Sequence, residues 1–317
     1  MATATFNSYA DNSTDANFRA WGSGLSAALA SVGLVQASDT GQINWSTVTH
    51  PTAINTYQGY EIWKLNDTLQ ATAPFYIKIE YGSGATSANR PSIRVTTGTS
   101  SNGSGSITNP SDTYSFRCTA NDSTSQYTSY ICGDSAGVGL ALWGGSGLGT
   151  LGTFIFIERS KSSTGTDTGQ YLAVCWSAPD CGINNAANVV GSGLYVHVAG
   201  SNQTVKDYNN TANNVTGIPG VATNLTNTQA GGSLAIIPVQ PCYGFFNYPL
   251  RRCISGKQGD WLAGDTPSIS LYSGVTDSYI LFKYTAGGAA AGQSGATFGP
   301  FGAITSSTFS PLMAKYV

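Results

Sequence analysis

The chain has 317 residues, a formal net charge of -2 and only 9% charged residues, against about 25% in an ordinary soluble domain. Its 41% hydrophobic and 11% aromatic content exceeds what disordered chains carry. Its 14 Lys and Arg residues are too thinly spread for charge-driven binding to nucleic acid. No apolar run approaches the ~20 residues that cross a bilayer, and the opening lacks the basic start and apolar stretch of a secretory signal. The expectation is therefore a protein made soluble in the cytosol, without membrane insertion.

Near the start, Asn12, Ser13, Thr14 and Asp15 offer caps, and Phe18, Trp21, Leu25, Leu29 and Val32 recur at helical spacing, which predicts one helix ended by Gly33. Gly22 and Gly24 weaken it, each costing about 1 kcal/mol relative to Ala, so the helix depends on packing against its own chain or a neighbour. On this basis residues 1–40 form a helical contact segment, with Phe18, Trp21 and Leu25 as candidate interface residues, and residues 41–317 form a β-rich domain.

From Gln42 onward, short β-rich runs alternate with Gly, Ser, Asn, Thr and Pro clusters, the pattern of an antiparallel β-sandwich or jelly-roll-like fold. Strands are predicted at 60–65, 75–81, 92–97, 114–119, 128–132, 138–143, 153–158, 170–176, 194–199, 233–239 and 279–284. In 75–81, Phe75, Ile77, Ile79 and Tyr81 share one face and Tyr76, Lys78 and Glu80 the other, so one side is core and the other wet. Segments 138–143 and 153–157 are apolar almost throughout and read as covered on both faces, by another sheet or by another subunit. The Asn-, Thr- and Gly-rich stretch 201–232 reads as a long exposed loop and a candidate contact surface.

Several constellations invite a chemical reading. Six cysteines fall as near pairs, Cys118 with Cys132, Cys175 with Cys181, and Cys242 with Cys253, and local bridges are the simplest of the 15 possible connectivities, although a reducing cytosol keeps them open. Gly133-Asp134-Ser135-Ala136-Gly137 matches a nucleophile pattern, with His50 as a conceivable base. The nucleophile elbow needs a helix after it, and here a strand is predicted, so a hairpin turn is the preferred reading. The Gly-x-Gly-x-x-Gly spacing at 147–152 precedes a strand, so no helix N-terminus is present to hold a pyrophosphate. His50 and His197 have no second ligand at metal spacing. Glu61, Glu80 and Glu158 stand near Lys64, Lys78 and Arg159, which favours structural ion pairs or a solvated face over a sugar-cleaving carboxylate pair. No catalytic residue, metal or cofactor is assigned.

The aromatics are more informative, because Tyr and Trp suit core filling, stacking on sugars and protein contacts. Core filling is expected for Trp45, Trp63, Trp143 and Trp176. The stretch containing Tyr243, Phe245, Phe246 and Tyr248, followed by Arg251 and Arg252 within the Cys242 to Cys253 span, has the composition of an interface hot spot, with ordinary packing as the alternative.

The region from Trp21 to Thr108 resembles the opening of small structural proteins encoded by tailed bacteriophages. The residues that carry the resemblance are the helical run 18–29, Gly33-Leu34-Val35, Gly41-Gln42-Ile43-Asn44-Trp45, Gly59-Tyr60-Glu61-Ile62-Trp63, Ile77-Lys78-Ile79-Glu80-Tyr81-Gly82-Ser83-Gly84, and the run 93–107. The resemblance implies a virion component of tail, baseplate or head surface, and identifies no catalytic residue. Composition agrees, since few charges let many copies pack without burying unpaired charge. The expectation is a non-enzymatic tail or tail-tip protein that assembles with copies of itself, as a homotrimer or higher ring, and with other virion proteins. A carbohydrate- or receptor-binding adhesin that takes host-surface polysaccharide, or a capsid-decorating protein, is the alternative.

Overall fold

The structure, a computed structural model, describes residues 2–9, 12–84, 87–110, 114–117, 126–143, 152–161, 167–177, 182–183, 193–198, 204–205, 236–238, 242–243, 246–247, 253–256, 268–272, 275–283, 298–299, 302–303 and 312–315. The chain opens with strand β1 (Ala2–Tyr9), helix α1 (Asp15–Ser31) and strands β2 (Val35–Gln36), β3 (Tyr57–Lys64), β4 (Tyr76–Ser83) and β5 (Pro91–Gly98). A small hairpin follows, β6 (Ser100–Ser101) with β7 (Ile107–Thr108), and then β8 (Tyr114–Arg117), β9 (Gln126–Asp134), β10 (Gly137–Trp143), β11 (Gly152–Lys161) and β12 (Asp167–Ser177). The shorter β13 (Gly182–Ile183), β14 (Gly193–Val198), β15 (Thr204–Val205), β16 (Ile236–Pro238), β17 (Cys242–Tyr243) and β18 (Phe246–Asn247) come next. The last are β19 (Cys253–Gly256), β20 (Ser268–Tyr272), β21 (Val275–Lys283), β22 (Phe298–Gly299), β23 (Gly302–Ala303) and β24 (Leu312–Lys315).

Sheet one has seven strands in the order β1-β9-β10-β11-β12-β14-β15, sheet two has six in the order β13-β8-β5-β4-β3-β2, and sheet three has five in the order β16-β19-β24-β21-β20. The described residues are thus mostly antiparallel sheet with one N-terminal helix, which is the all-β class expected from the sequence. Strand 2–9 is an addition to that reading. Its alternation of small and hydroxyl residues carries little apolar signal, yet it pairs with β9 over eight consecutive positions.

Helix α1 begins where the sequence indicates. Thr14 is extended, and its side chain accepts a hydrogen bond from the backbone N–H of Asn17 at 3.2 Å, satisfying one of the orphan donors of the first turn. At the other end Gly33 adopts φ +104°. There the N–H of Gly33 reaches the carbonyl of Ala30 at 3.2 Å, and that of Leu34 reaches Leu29 at 3.3 Å. This is the paired closure of a Schellman motif, with the apolar Leu34 and Leu29 meeting in the core behind it.

Phe18, Trp21 and Leu25, expected as contacts to a neighbour, are each 0% exposed. They join Leu29, Val32, Trp63, Phe75, Ile77, Ile79, Tyr81, Ile93 and Val95 together with Ile131, Val138, Leu140 and Ile157 of sheet one in a single cluster. A side chain with no accessible area offers nothing to another molecule, so these three residues serve the core of their own chain. Val138, Leu140 and Ile157 enter that core, while β24 and β21 of sheet three lie against β10 and β11.

The helix tolerates Gly22 for a specific reason. The indole of Trp45 lies directly on the backbone there, so that a Cβ at position 22 would overlap the outer edge of its six-membered ring. Trp45 is held from its other sides by Phe18 at 5.8 Å and, edge-on, by Tyr81 at 4.8 Å between ring centroids. Gly22→Ala should therefore destabilise the protein by about 1–3 kcal/mol as an overpacking substitution, despite the higher helix propensity of Ala. Chemical denaturation checks the magnitude, and loss of the near-ultraviolet tryptophan signal should accompany it. A variant as stable as the parent would contradict the seating of Trp45.

Candidate functional site

Strand alternation decides what the charged residues of sheet two can do. Glu61 is opposite Ile79, and Tyr60 is opposite Glu80, so Glu61 and Glu80 lie on opposite faces and cannot flank one substrate. Lys64 stands three residues from Glu61 and therefore on the other face. The expected Glu61 to Lys64 ion pair does not form, whereas Lys78 and Glu80, two residues apart, share a face and pair at 3.6 Å.

Glu61 instead points into the core, 1% exposed. Its Oε1 accepts from Ser26 Oγ at 2.8 Å and Trp45 Nε1 at 3.0 Å, and its Oε2 from Trp63 Nε1 at 3.2 Å and Tyr81 OH at 2.5 Å. The carboxyl thereby joins α1, the 37–48 loop, β3 and β4. Indole N–H groups can only donate, so Glu61 serves both tryptophans as an acceptor. With each oxygen receiving two donors, no lone pair is left for an incoming substrate.

The other predicted chemical groups are dispersed. The Ser135 pattern is the tight turn between β9 and β10: Asp134 pairs with Gly137 across the ladder, and Asp134 Oδ1 accepts from the N–H of Ala136 at 2.8 Å. The preferred hairpin reading therefore holds. Its backbone lies against Gly33, at the end of α1. His50 is bound to Asp15, at the opposite end of that 17-residue helix, about 25 Å away at 1.5 Å per residue. Ser135 and His50 are not brought together.

Arg159 pairs with Asp67. Its Nε and Nη2 donate to Asp67 Oδ2 and Oδ1 at 2.8 and 3.1 Å, and its Nη1 donates to the carbonyl of Gly169 at 3.4 Å. Its side chain is 0% exposed, and the fork ties sheet one to the loop that leaves β3. The side chain of Glu158 lies outside what is described.

At the start of α1, Asp15 Oδ1 accepts from the His50 backbone N–H at 2.8 Å and lies 2.6 Å from His50 Nδ1. Arg19 donates through Nε to the carbonyl of Val48 at 2.6 Å and through Nη2 to that of Thr47 at 3.1 Å. Together they fasten the 47–50 loop to the helix. The His50 hydrogen bonds, first that of the side chain and then that of the backbone, hold the Asp15 carboxyl below its ordinary value, with Arg19 adding to the effect. A depressed carboxyl contributes above its unfolded-state value and loses that contribution as pH falls through its folded-state value. The loop should thus detach only on acidification below the usual aspartate range. Amide exchange at His50, followed by NMR across an acid titration, checks this, and detachment at or above that range would contradict it.

On the outer face of sheet two runs a row of alternating character. Arg94 Cζ lies 3.9 Å from the centre of the Tyr57 ring, Arg94 Nη2 donates to Glu80 at 2.9 Å, and Lys78 Nζ sits between Glu80 and the Tyr60 ring, 4.9 Å from its centre. The three charged side chains are 19 to 22% exposed. The Tyr60 hydroxyl donates to the carbonyl of Thr40 at 2.6 Å. Burial, with the Asp39 carboxylate in support, raises its ionisation above the ordinary tyrosine value. Each of these two rings has a cation on its face, which is the surface a sugar would stack on. Trp63 is 2% exposed, and Trp45 packs against the core.

In the predicted aromatic interface loop, Tyr243 and Phe246 are opposite one another in the β17–β18 ladder, and Cys242 is opposite Asn247. Phe245, Tyr248, Arg251 and Arg252 lie outside the described residues, as do Cys118 and Cys181. Cys132, Cys175, Cys242 and Cys253 occupy positions in β9, β12, β17 and β19, and their side chains are outside what is described. Of the 201–232 stretch only β15 is described, and of the 147–152 Gly spacing only Gly152, the first residue of β11. His197 occupies a position in β14 opposite Ala173 and Thr204. Among the described residues, no group of three or more His, Cys, Asp or Glu side chains is placed to hold a metal ion, and no helix is long and apolar enough to cross a membrane. The functional network that sequence reasoning missed is that of Glu61, and strict counting by twos along 59–64, where the pairing with β4 runs without a shift, was the signal that could have found it.

Compared with known proteins, the chain matches no family model, no curated protein and no solved structure.

Proposed function

We propose that this protein is a non-enzymatic structural component of a tailed-phage virion, acting in the tail or tail tip through assembly with copies of itself and with neighbouring virion proteins. The observation that carries the reading is the use to which the resembling segments are put. Trp45, Glu61, Trp63 and Tyr81, each from one of those segments, converge with Ser26 of the helix in one hydrogen-bonded network around the buried carboxyl of Glu61. The likeness thus rests on a scaffold that holds a shape, in keeping with a protein whose work is to be a rigid part. The sheets, in this reading, pack as a β-sandwich, with α1 filling one core that draws residues from sheets one and two.

The adhesin alternative loses support from the described aromatics, because Tyr57 and Tyr60 carry cations on their faces, Trp63 is buried and Trp45 is half-buried against the core. A nonsense mutation placed in this gene of the encoding phage tests the proposal. Under a nonsuppressing host, electron microscopy should show particles arrested without a complete tail or tip. Complete, infectious particles lacking the protein would overturn the reading, and complete particles that fail only to adsorb would favour the adhesin.

A further inference from the structure

A sheet in a soluble protein ends on two strands whose outward N–H and C=O groups are unpaired, and proteins blunt such edges by shortening them, bulging them or placing proline or charge on them. Five of the six terminal strands in the three large sheets follow this rule. β2, β13 and β15 have two residues each. β16 has three and includes Pro238, and β20 is interrupted by a register shift between Ser270 and Tyr272. β1 is the exception. It runs for eight residues, pairs with β9 from Ala2 opposite Gly133 to Tyr9 opposite Gln126 without a shift, and contains no Asp, Glu, Lys, Arg or Pro. Among the described residues no strand pairs with its outer edge. Helix α1 packs against β1 from the face that carries Ala4, which contacts the core, while Ala2 is exposed.

We propose that the outer edge of β1 pairs with β1 of a second copy, antiparallel across a two-fold axis, so that sheet one continues from one protomer into its partner. The composition of the strand selects this occupant. A charged edge set against itself places like charges opposite one another, whereas Ala2–Tyr9 has none to oppose. An isologous contact of this kind makes the elementary unit a dimer, in place of the trimer expected from the sequence. The inference rests on the assembly reading above and names its first contact.

Sedimentation equilibrium of the full chain across a wide concentration series tests it. The parent should approach twice its chain mass of 32.8 kDa. Thr3→Lys and Thr5→Lys should remain at the single-chain mass, and Ala27→Lys, at an exposed helical position, should behave as the parent. A parent that is monomeric throughout, or lysine variants that still dimerise, would overturn the proposal. Should the variants fail to fold, hydrogen exchange on the parent decides: alternate β1 amides should be protected in the dimer and lose that protection on dilution, and equal exchange in both states would overturn it. A β1-paired dimer that is missing from virions leaves this contact standing and sinks the virion reading. A virion component whose β1 variants assemble normally does the reverse.

Discussion

Replacing Glu61 by Gln should lower the stability of the protein by about 2–3 kcal/mol although the side chain keeps its size, because one carboxylate oxygen that receives two donors becomes an amide nitrogen that cannot accept. Glu61→Ala should cost more, about 3–5 kcal/mol. It removes all four acceptor positions and leaves the indole N–H of Trp63 and the hydroxyl of Tyr81 without their bonds to the carboxylate, each such buried group costing about 1–3 kcal/mol. The two effects separate hydrogen bonding from packing. If the network is the cause, Tyr81→Phe combined with Glu61→Gln should lose less than the sum of the single variants, since residues in one network couple. Urea denaturation of the four proteins measures this. A Gln variant within ±0.5 kcal/mol of the parent would mean that the carboxylate does not organise the helix-to-sheet contact.

The second large effect is expected at Arg159. Arg159→Ala should destabilise by about 3–5 kcal/mol, because it strands the carboxylate of Asp67, whose side chain is only 9% exposed, at a site closed by the fork it has lost. Asp67→Asn should cost less, since an amide oxygen still accepts one of the guanidinium donors. Exchanging both residues for apolar ones of similar volume should recover much of the loss, as burial of a pair is weak evidence for net stabilisation while breaking one is costly. Calorimetric unfolding of the single and double variants checks the order. Equal stability of Arg159→Ala and the parent would contradict a closed site between sheet one and the 66–67 loop.

These two side chains also mark the limit of what could be read from the sequence. Helix α1 was legible at both ends, because Thr14 and Gly33 sit where a cap and a left-handed closure are needed. Strand β4 was legible face by face, with Ile77, Ile79 and Tyr81 buried and Tyr76, Lys78 and Glu80 half-buried. The strand before it was legible as a strand but not in its chemistry. Glu61 looked like a partner for nearby Lys64, and only the odd spacing of three residues puts them on opposite faces. The Arg159 to Asp67 pair spans 92 positions of sequence, so no local pattern announces it. Gly22 read as a helix fault until Trp45 was placed on it. β1 escaped notice because small and hydroxyl residues alternate there without an apolar stripe, and its pairing to β9 comes from more than a hundred residues downstream.

The low charge of the chain takes on physical content through these contacts. Among the described residues, Glu61, Glu80, Asp67, Arg94 and Arg159 all make hydrogen bonds within the scaffold. β1, the long regular edge, has no charge at all.

The most direct test of the virion reading is quantitative mass spectrometry of density-purified particles of the encoding phage. The protein should be present in a fixed multiple number of copies per particle, comparable with recognised tail components. Its presence in the infected-cell lysate together with its absence from purified particles would contradict the account.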